Sequence, residues 1–258
     1  MNRLTQLFKN KKKDILSVYF TAGFPRLDST GEVIDALCVA DVDMIEIGIP
    51  FSDPMADGPV IQHSGTVALA NGMTLSLLLD QVKEARTRNH DVPFIAMGYI
   101  NPIMQMGEEE FFSRAKDAGI DAVIIPALPF GVYMNKYKAL TRKYDIPMIM
   151  LITPATDEER IRLIDEHCDG FIYMVSVAST TGARDSFTEE QVDYFRRINS
   201  LELNHPRLIG FGISNRGTYG EACRYSSGAI IGSQFIKCLA AEDDATAAVK
   251  SLMDKIGR

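Results

Sequence analysis

Short apolar runs recur along the chain at Ile15–Thr21, Met44–Ile49, Phe94–Ile100, Ala122–Pro126, Met148–Ile152, Phe171–Val175, Leu208–Gly212 and Ala229–Ile231. Each has the length of a strand. Between them lie amphipathic stretches of helical length: Ser29–Ala40, Leu75–Arg88, Glu108–Ala118, Tyr133–Tyr144, Glu158–His167, Glu189–Ile198 and Arg216–Tyr225. Strand and helix in strict alternation predict parallel βα units. Thr156-Asp157 ahead of Glu158-Glu159, and Thr188 ahead of Glu189-Glu190, are helix-start signals, and Gly119 and Gly170 stand where helices stop. With eight such runs and no linker or low-complexity break, residues 1–258 are expected to form a single (β/α)8 TIM barrel. A doubly wound open sheet is the alternative.

The second and third runs, and the sixth and seventh, are spaced more widely than the others. Long loops are therefore expected after strands two and six, on the C-terminal face where barrels carry their active sites. The first holds Asp57. The second, Ser176 to Arg184, is small and polar enough for a lid.

The second run carries a carboxylate. Strand side chains alternate, so Met44, Glu46 and Gly48 share one face while Ile45, Ile47 and Ile49 share the other. If the isoleucines pack on helices, Glu46 points into the barrel. A buried carboxylate is costly unless paired, neutralised or used, and desolvation raises its pKa toward the range of a general acid/base. A solvated salt bridge at the strand end is the plainer alternative. Two further acids, Asp53 and Asp57, follow among Pro50, Pro54, Gly58 and Pro59.

Composition narrows the function. A net charge of −7 disfavours nucleic acid as a partner, and the basic run Lys11-Lys12-Lys13 reads as a solvated face. No stretch has the length of a membrane span and no signal-peptide core is evident, so a cytoplasmic location is expected. Cys38, Cys168, Cys223 and Cys238 are scattered, as are the four histidines. Neither set suggests a metal or disulfides.

The seventh run continues Gly210-Phe211-Gly212-Ile213-Ser214, and the eighth ends in Gly232-Ser233, each passing into a helix. Glycines let a phosphate approach backbone N–H groups, and a helix N-terminus supplies free donors and a positive dipole end. Barrels often bind phosphate after strands seven and eight. Glycines that merely end strands are the alternative. Nucleotide-binding patterns are missing.

Ile45 to Gln62 reads IEIGIPFSDPMADGPVIQ and is similar to the most diagnostic motif of the tryptophan synthase α-subunit family. Further matches are Tyr19 to Gly23, Tyr99-Ile100-Asn101-Pro102, Tyr173, Thr181-Gly182, Gly210 to Ser214 and Gly232-Ser233, so the resemblance spans essentially the whole chain. It implies retro-aldol cleavage of indole-3-glycerol phosphate to indole and glyceraldehyde 3-phosphate. Glu46 would transfer the proton, and Asp57 would stay ionised and accept the indole N–H. Two carboxylates in contrasting settings can divide such roles. The resemblance further implies that Tyr19, Met97, Tyr99, Tyr173 and Phe211 line the indole slot. Gly182, Gly212, Gly232 and Ser233 would hold the phosphate, and Thr181 would close over Asp57.

It also implies a partner, the tryptophan synthase β subunit, in an α2β2 assembly. The pyridoxal phosphate (PLP) would sit in the partner, with no cofactor in this chain, and Asp53 and the loop from Pro50 to Pro59 would lie at the contact. Two positions depart from the family pattern. Ala127 stands where Asp is usual and Val177 where Arg is common, which bears on coupling to the partner, not on the reaction. A stand-alone lyase releasing free indole and a non-catalytic phosphate-binding regulatory subunit are the competing readings.

Overall fold

In a computed structural model, which describes residues 2–176 and 186–258, eight parallel strands close into one barrel in sequence order. They are β1 (Ile15–Thr21), β2 (Met44–Gly48), β3 (Phe94–Met97), β4 (Ala122–Ile124), β5 (Met148–Ile152), β6 (Ile172–Val175), β7 (Arg207–Gly210) and β8 (Gly228–Ile231), with β8 paired back onto β1. The open sheet is thereby set aside.

Alternation along the strands sorts the core into two layers. Val18, Phe20, Ile45, Ile47, Ile209 and Ile231 face outward and pack against the helices. Met44, Ile95, Met97, Ile124, Ile149, Tyr173, Leu208 and Ile230 fill the interior. The register of β1 on β2 pairs Ser17 with Met44 and Tyr19 with Glu46. Glu46 therefore lies on the inward face, one step above Met44.

The barrel is plugged at its N-terminal end by the helix Arg3–Asn10, whose buried Leu4 and Phe8 enter the interior core. The basic run that follows is only partly solvated: Lys11 pairs with Asp43 at 2.7 Å. Nearby, Asp121 binds Arg86 at 3.1 Å and Arg3 at 3.0 Å, while the Arg86 guanidinium stacks 3.4 Å over Phe94. These pairings tie the lower ends of β3 and β4 together, far from the mouth.

Several boundaries differ from the sequence expectation. β3 stops at Met97, not Ile100, because Ile100 already begins the helix Ile100–Met106, with Tyr99 as its N-cap. β4 likewise ends before Pro126. After β2, only a short loop precedes an additional helix, Pro59–Ala70, which opens on proline and buries Ser64, Gly65 and Ala68. Tyr133–Tyr137 forms a π-helical turn before the α-helix Lys138–Tyr144. Among the described residues no helix is long and apolar enough to cross a membrane.

Candidate active site

A cleft lies at the C-terminal mouth of the barrel, with about 970 Å³ of space partly open to solvent. Glu46 forms part of its floor and is fully buried. Its Oε1 accepts a hydrogen bond from the Ser17 hydroxyl at 2.7 Å, while Oε2 has no protein partner. Loss of hydration raises the carboxyl from its ordinary 4.5 to about 7, and the Ser17 bond opposes that rise without cancelling it. At neutral pH this group can therefore both give and take a proton.

Asp57 reaches the cleft from the loop after β2, beside Gly58 and Pro59. Its Oδ2 accepts from the Tyr99 hydroxyl at 3.1 Å, and the same hydroxyl accepts the Ala56 N–H at 2.8 Å. Partial burial raises the Asp57 carboxyl and the Tyr99 bond lowers it. Burial is the larger effect, and the Asp57 carboxyl is raised overall. Each acid accepts one hydroxyl bond, so the contrast between them is that Glu46 is fully enclosed and Asp57 only partly.

Aromatic walls stand between the acids. Tyr19 rises from β1 and Tyr173 from β6, with Phe211 edge-on to Tyr173 at a centroid distance of 6.2 Å. Burial pushes both tyrosine hydroxyls well above their usual range, so they are neutral donors and apolar surfaces. Met97 and Ile230 complete the slot. Tyr99 does not belong to this lining: its ring packs on Phe51 at 5.2 Å and its hydroxyl is committed to the Asp57 loop. It supports an acid where the sequence expectation made it a wall.

The opposite rim is polar and made of backbone. Phe211 and Gly212 both have positive φ, 69° and 74°, so the chain after β7 turns sharply and offers Gly212 and Ile213 to the cleft. The carbonyl of Phe211 is pinned by the Ser176 hydroxyl at 2.7 Å. After β8, Gly232 caps the helix Ser233–Ala241 with no side-chain cap bond, so the first N–H groups lack an intrahelical partner where Gly232, Ser233 and Gln234 line the cleft. Those unsatisfied donors and the helix dipole suit an oxyanion.

Sequence reasoning missed several lining residues. Lys237 stands one helical turn beyond Ser233 on the same face, a spacing that was visible in the sequence. Val60, Ile61 and Gln234 also line the cleft. Ser17 carried no visible signal, as a lone serine in an apolar run. Asp53 lies exposed on the outer part of the β2 loop, away from the cleft. Thr181, Gly182, Val177 and most of the expected lid lie outside the described residues. Among the described residues no group of acids, cysteines and histidines is placed to hold a metal.

A closed barrel with a buried carboxyl beneath an aromatic slot at its C-terminal mouth has the layout of a (β/α)8 enzyme. Residues 5–257 match the family described as "Tryptophan synthase alpha chain". The chain is 54% identical over 256 residues to the tryptophan synthase alpha chain of Parabacteroides distasonis, covering 99% of each. It is 56% identical over 246 residues to that of Phocaeicola vulgatus, covering 95% of each. The solved tryptophan synthase subunit alpha of Legionella pneumophila superposes with a TM-score of 0.89 at 31% identity, over 99% of this chain and 97% of that one. The chain belongs to the tryptophan synthase alpha chain family.

Proposed function

We propose that Glu46 is the proton-transfer group and Asp57 the anionic acceptor of the indole N–H in the reaction of this family. Family membership makes the chain a carbon–carbon lyase of tryptophan biosynthesis, the α subunit that cleaves indole-3-glycerol phosphate to indole and glyceraldehyde 3-phosphate. It works with the tryptophan synthase β subunit, which holds the pyridoxal phosphate, and uses no cofactor of its own.

Cleavage requires a proton at indole C3 and loss of a proton from the hydroxyl on the adjoining side-chain carbon. As the C3–carbon bond breaks, its electron pair stays with the ring and the former alcohol becomes the aldehyde. Protonation at C3 places positive charge on the ring nitrogen, which the Asp57 carboxylate stabilises through the N–H. Tyr19, Met97, Tyr173 and Phe211 hold the ring between the acids, and Gly212, Gly232 and Ser233 seat the phosphate on backbone donors. The observation that carries this reading is the complete burial of Glu46 with Oε2 left unpartnered at the floor of the cleft.

Residues 1–258 act, in this reading, as one catalytic domain within an α2β2 complex. The loop from Pro50 to Pro59, with Asp53, is the proposed contact with the β subunit, supported by Met55, a large apolar side chain left 92% exposed there. Four unpaired cysteines support a cytoplasmic location. The test is indole release from indole-3-glycerol phosphate by the chain alone and with its β subunit. Cleavage that is stimulated by the partner is the expected result. Equal rates would favour the free-standing lyase, and no cleavage in either state would overturn the reading.

A further inference from the structure

Two oxygens of one carboxylate are treated differently at the floor of the cleft. Oε1 of Glu46 is held by the Ser17 hydroxyl at 2.7 Å, and both residues are fully buried. Oε2 is just as buried and has no partner. Ser17 and Glu46 come from neighbouring strands whose register offsets them by one inward position, so the bond is fixed by the barrel frame and not by a mobile loop. A serine is an unusual choice in that layer, where Ile15, Met44, Ile95 and Leu208 are otherwise apolar.

We propose that Ser17 is a positioning residue that occupies Oε1 and so assigns both proton transfers to Oε2. The inference rests on Glu46 being the proton-transfer group. With one oxygen committed as an acceptor, the carboxyl cannot rotate freely about its last torsion, and the proton resides on the oxygen without a donor. Oε2 then delivers the proton to C3 and receives the hydroxyl proton, leaving the carboxyl as it began. A hydroxyl donor also favours the charged form of the acid it contacts. Among the described residues, the titratable groups facing Glu46 are Tyr19 from β1 and Tyr173 from β6, both neutral, with Asp57 across the cleft and Lys237 at its rim. The elements packed on the remaining sides contribute the apolar Met97 and Ile230. Among the described residues, Ser17 is thus the one neighbour whose bond opposes the effect of burial on Glu46.

Ser17→Ala removes the donor and creates little space, so the barrel is expected to fold. Ser17→Cys keeps the volume with a weaker donor. The direct readout is the infrared carboxyl band of Glu46, identified by its loss in Glu46→Gln, followed against pH in the full-length chain. Its midpoint should move to higher pH by about one unit in Ser17→Ala, the scale of one hydrogen bond to a charged group, and by less in Ser17→Cys. kcat should fall about ten-fold in Ser17→Ala, with KM near the parent value, as for a group that acts only as bonds are made and broken. An unmoved band and an unchanged kcat in Ser17→Ala would overturn the proposal. If Glu46→Gln itself retained activity, the assignment of Glu46 would fall instead, and the infrared shift would still report whether Ser17 binds it.

Discussion

The Tyr99 hydroxyl joins two parts of the β2 loop, donating to Asp57 Oδ2 at 3.1 Å and accepting the Ala56 N–H at 2.8 Å. The tyrosine is the N-cap residue of the helix after β3, so a residue on one βα unit sets the position and the charge of an acid on another. Tyr99→Phe should leave the fold intact and loosen Asp57. Because the Tyr99 bond holds the Asp57 carboxyl down against burial, its loss should push that pKa further up. The acid limb of kcat/KM should then move to higher pH, with kcat about ten-fold lower at neutrality, the scale of one hydrogen bond to a charged group. A profile superposable on the parent would remove Tyr99 from this role.

Glu46→Gln separates activity from stability. General acid–base roles contribute roughly 10²–10⁴-fold, so indole formation should be lost on that scale while circular dichroism and binding of a substrate analogue persist. Stability should move the other way. A carboxyl raised from 4.5 to about 7 in the folded chain contributes its full stability below pH 4.5 and loses it as pH rises toward 7. The cost of the buried anion above that range is roughly 3 kcal/mol for a shift of this size. The variant should therefore melt higher than the parent at pH 8 and like it at pH 4. Identical melting at both values would mean that Glu46 is not desolvated in solution.

Asp57→Asn keeps size and hydrogen bonding and removes the charge. If the anion stabilises a ring cation that exists only during cleavage, kcat should collapse by about 10²-fold or more while KM changes little. Loss of substrate binding with turnover preserved would place Asp57 among the binding groups only.

Much of this was legible in the sequence, for reasons that differ by residue. All eight strands could be placed because buried parallel strands are short, continuous apolar runs, and the inward position of Glu46 followed from period-two alternation once the isoleucine face was taken to pack on helices. Tyr99 was assigned to the slot by the family resemblance, while its run, Phe94–Ile100, was read as one strand. The strand in fact ends before Gly98, where the chain passes so close to Ile49 that a Cβ would lie 2.7 Å from its side chain. The helix Pro59–Ala70 was hidden because its buried face is made of Ser64, Gly65 and Ala68, so it lacks the large apolar stripe that marks a helix. Its opening proline was the available signal. The bond from Ser17 to Glu46 depends on the offset between β1 and β2, which no local pattern encodes.

Gly48 and Gly210 are the recesses into which the slot tyrosines fit. A Cβ at Gly48 would lie 2.5 Å from Cζ of Tyr19, and one at Gly210 would lie 2.5 Å from Cζ of Tyr173. Both glycines sit at strand ends with ordinary backbone angles, so the need is for space and not for a left-handed conformation. Gly210→Ala should displace Tyr173, cost about 1–3 kcal/mol by overpacking, and weaken binding of an indole-bearing inhibitor more than that of glyceraldehyde 3-phosphate. A second change, Tyr173→Phe, removes the hydroxyl that collides most directly and should restore part of the loss. Additive damage from the two changes would mean that the glycine is required for some other reason.

The phosphate rim can be tested at Gly232 without breaking the barrel. There the three atoms nearest a Cβ all belong to Tyr19, the closest at 3.4 Å, and the residue has no positive φ, so alanine is close to ordinary contact. Gly232→Ala should fold with nearly the parent melting temperature and raise KM several-fold by crowding the donors at the start of the helix Ser233–Ala241. Gly232→Asp adds a carboxylate where the dianion should sit, with repulsion that the helix dipole cannot offset. Affinity for indole-3-glycerol phosphate should fall far more steeply than in the alanine variant, and raising salt should recover part of the difference by screening. Binding of indole, which has no phosphate, should be nearly unchanged in both. Equal losses for indole and for the phosphorylated substrate would show that the substitutions disturbed the slot, and the phosphate would then have to be seated elsewhere on the rim.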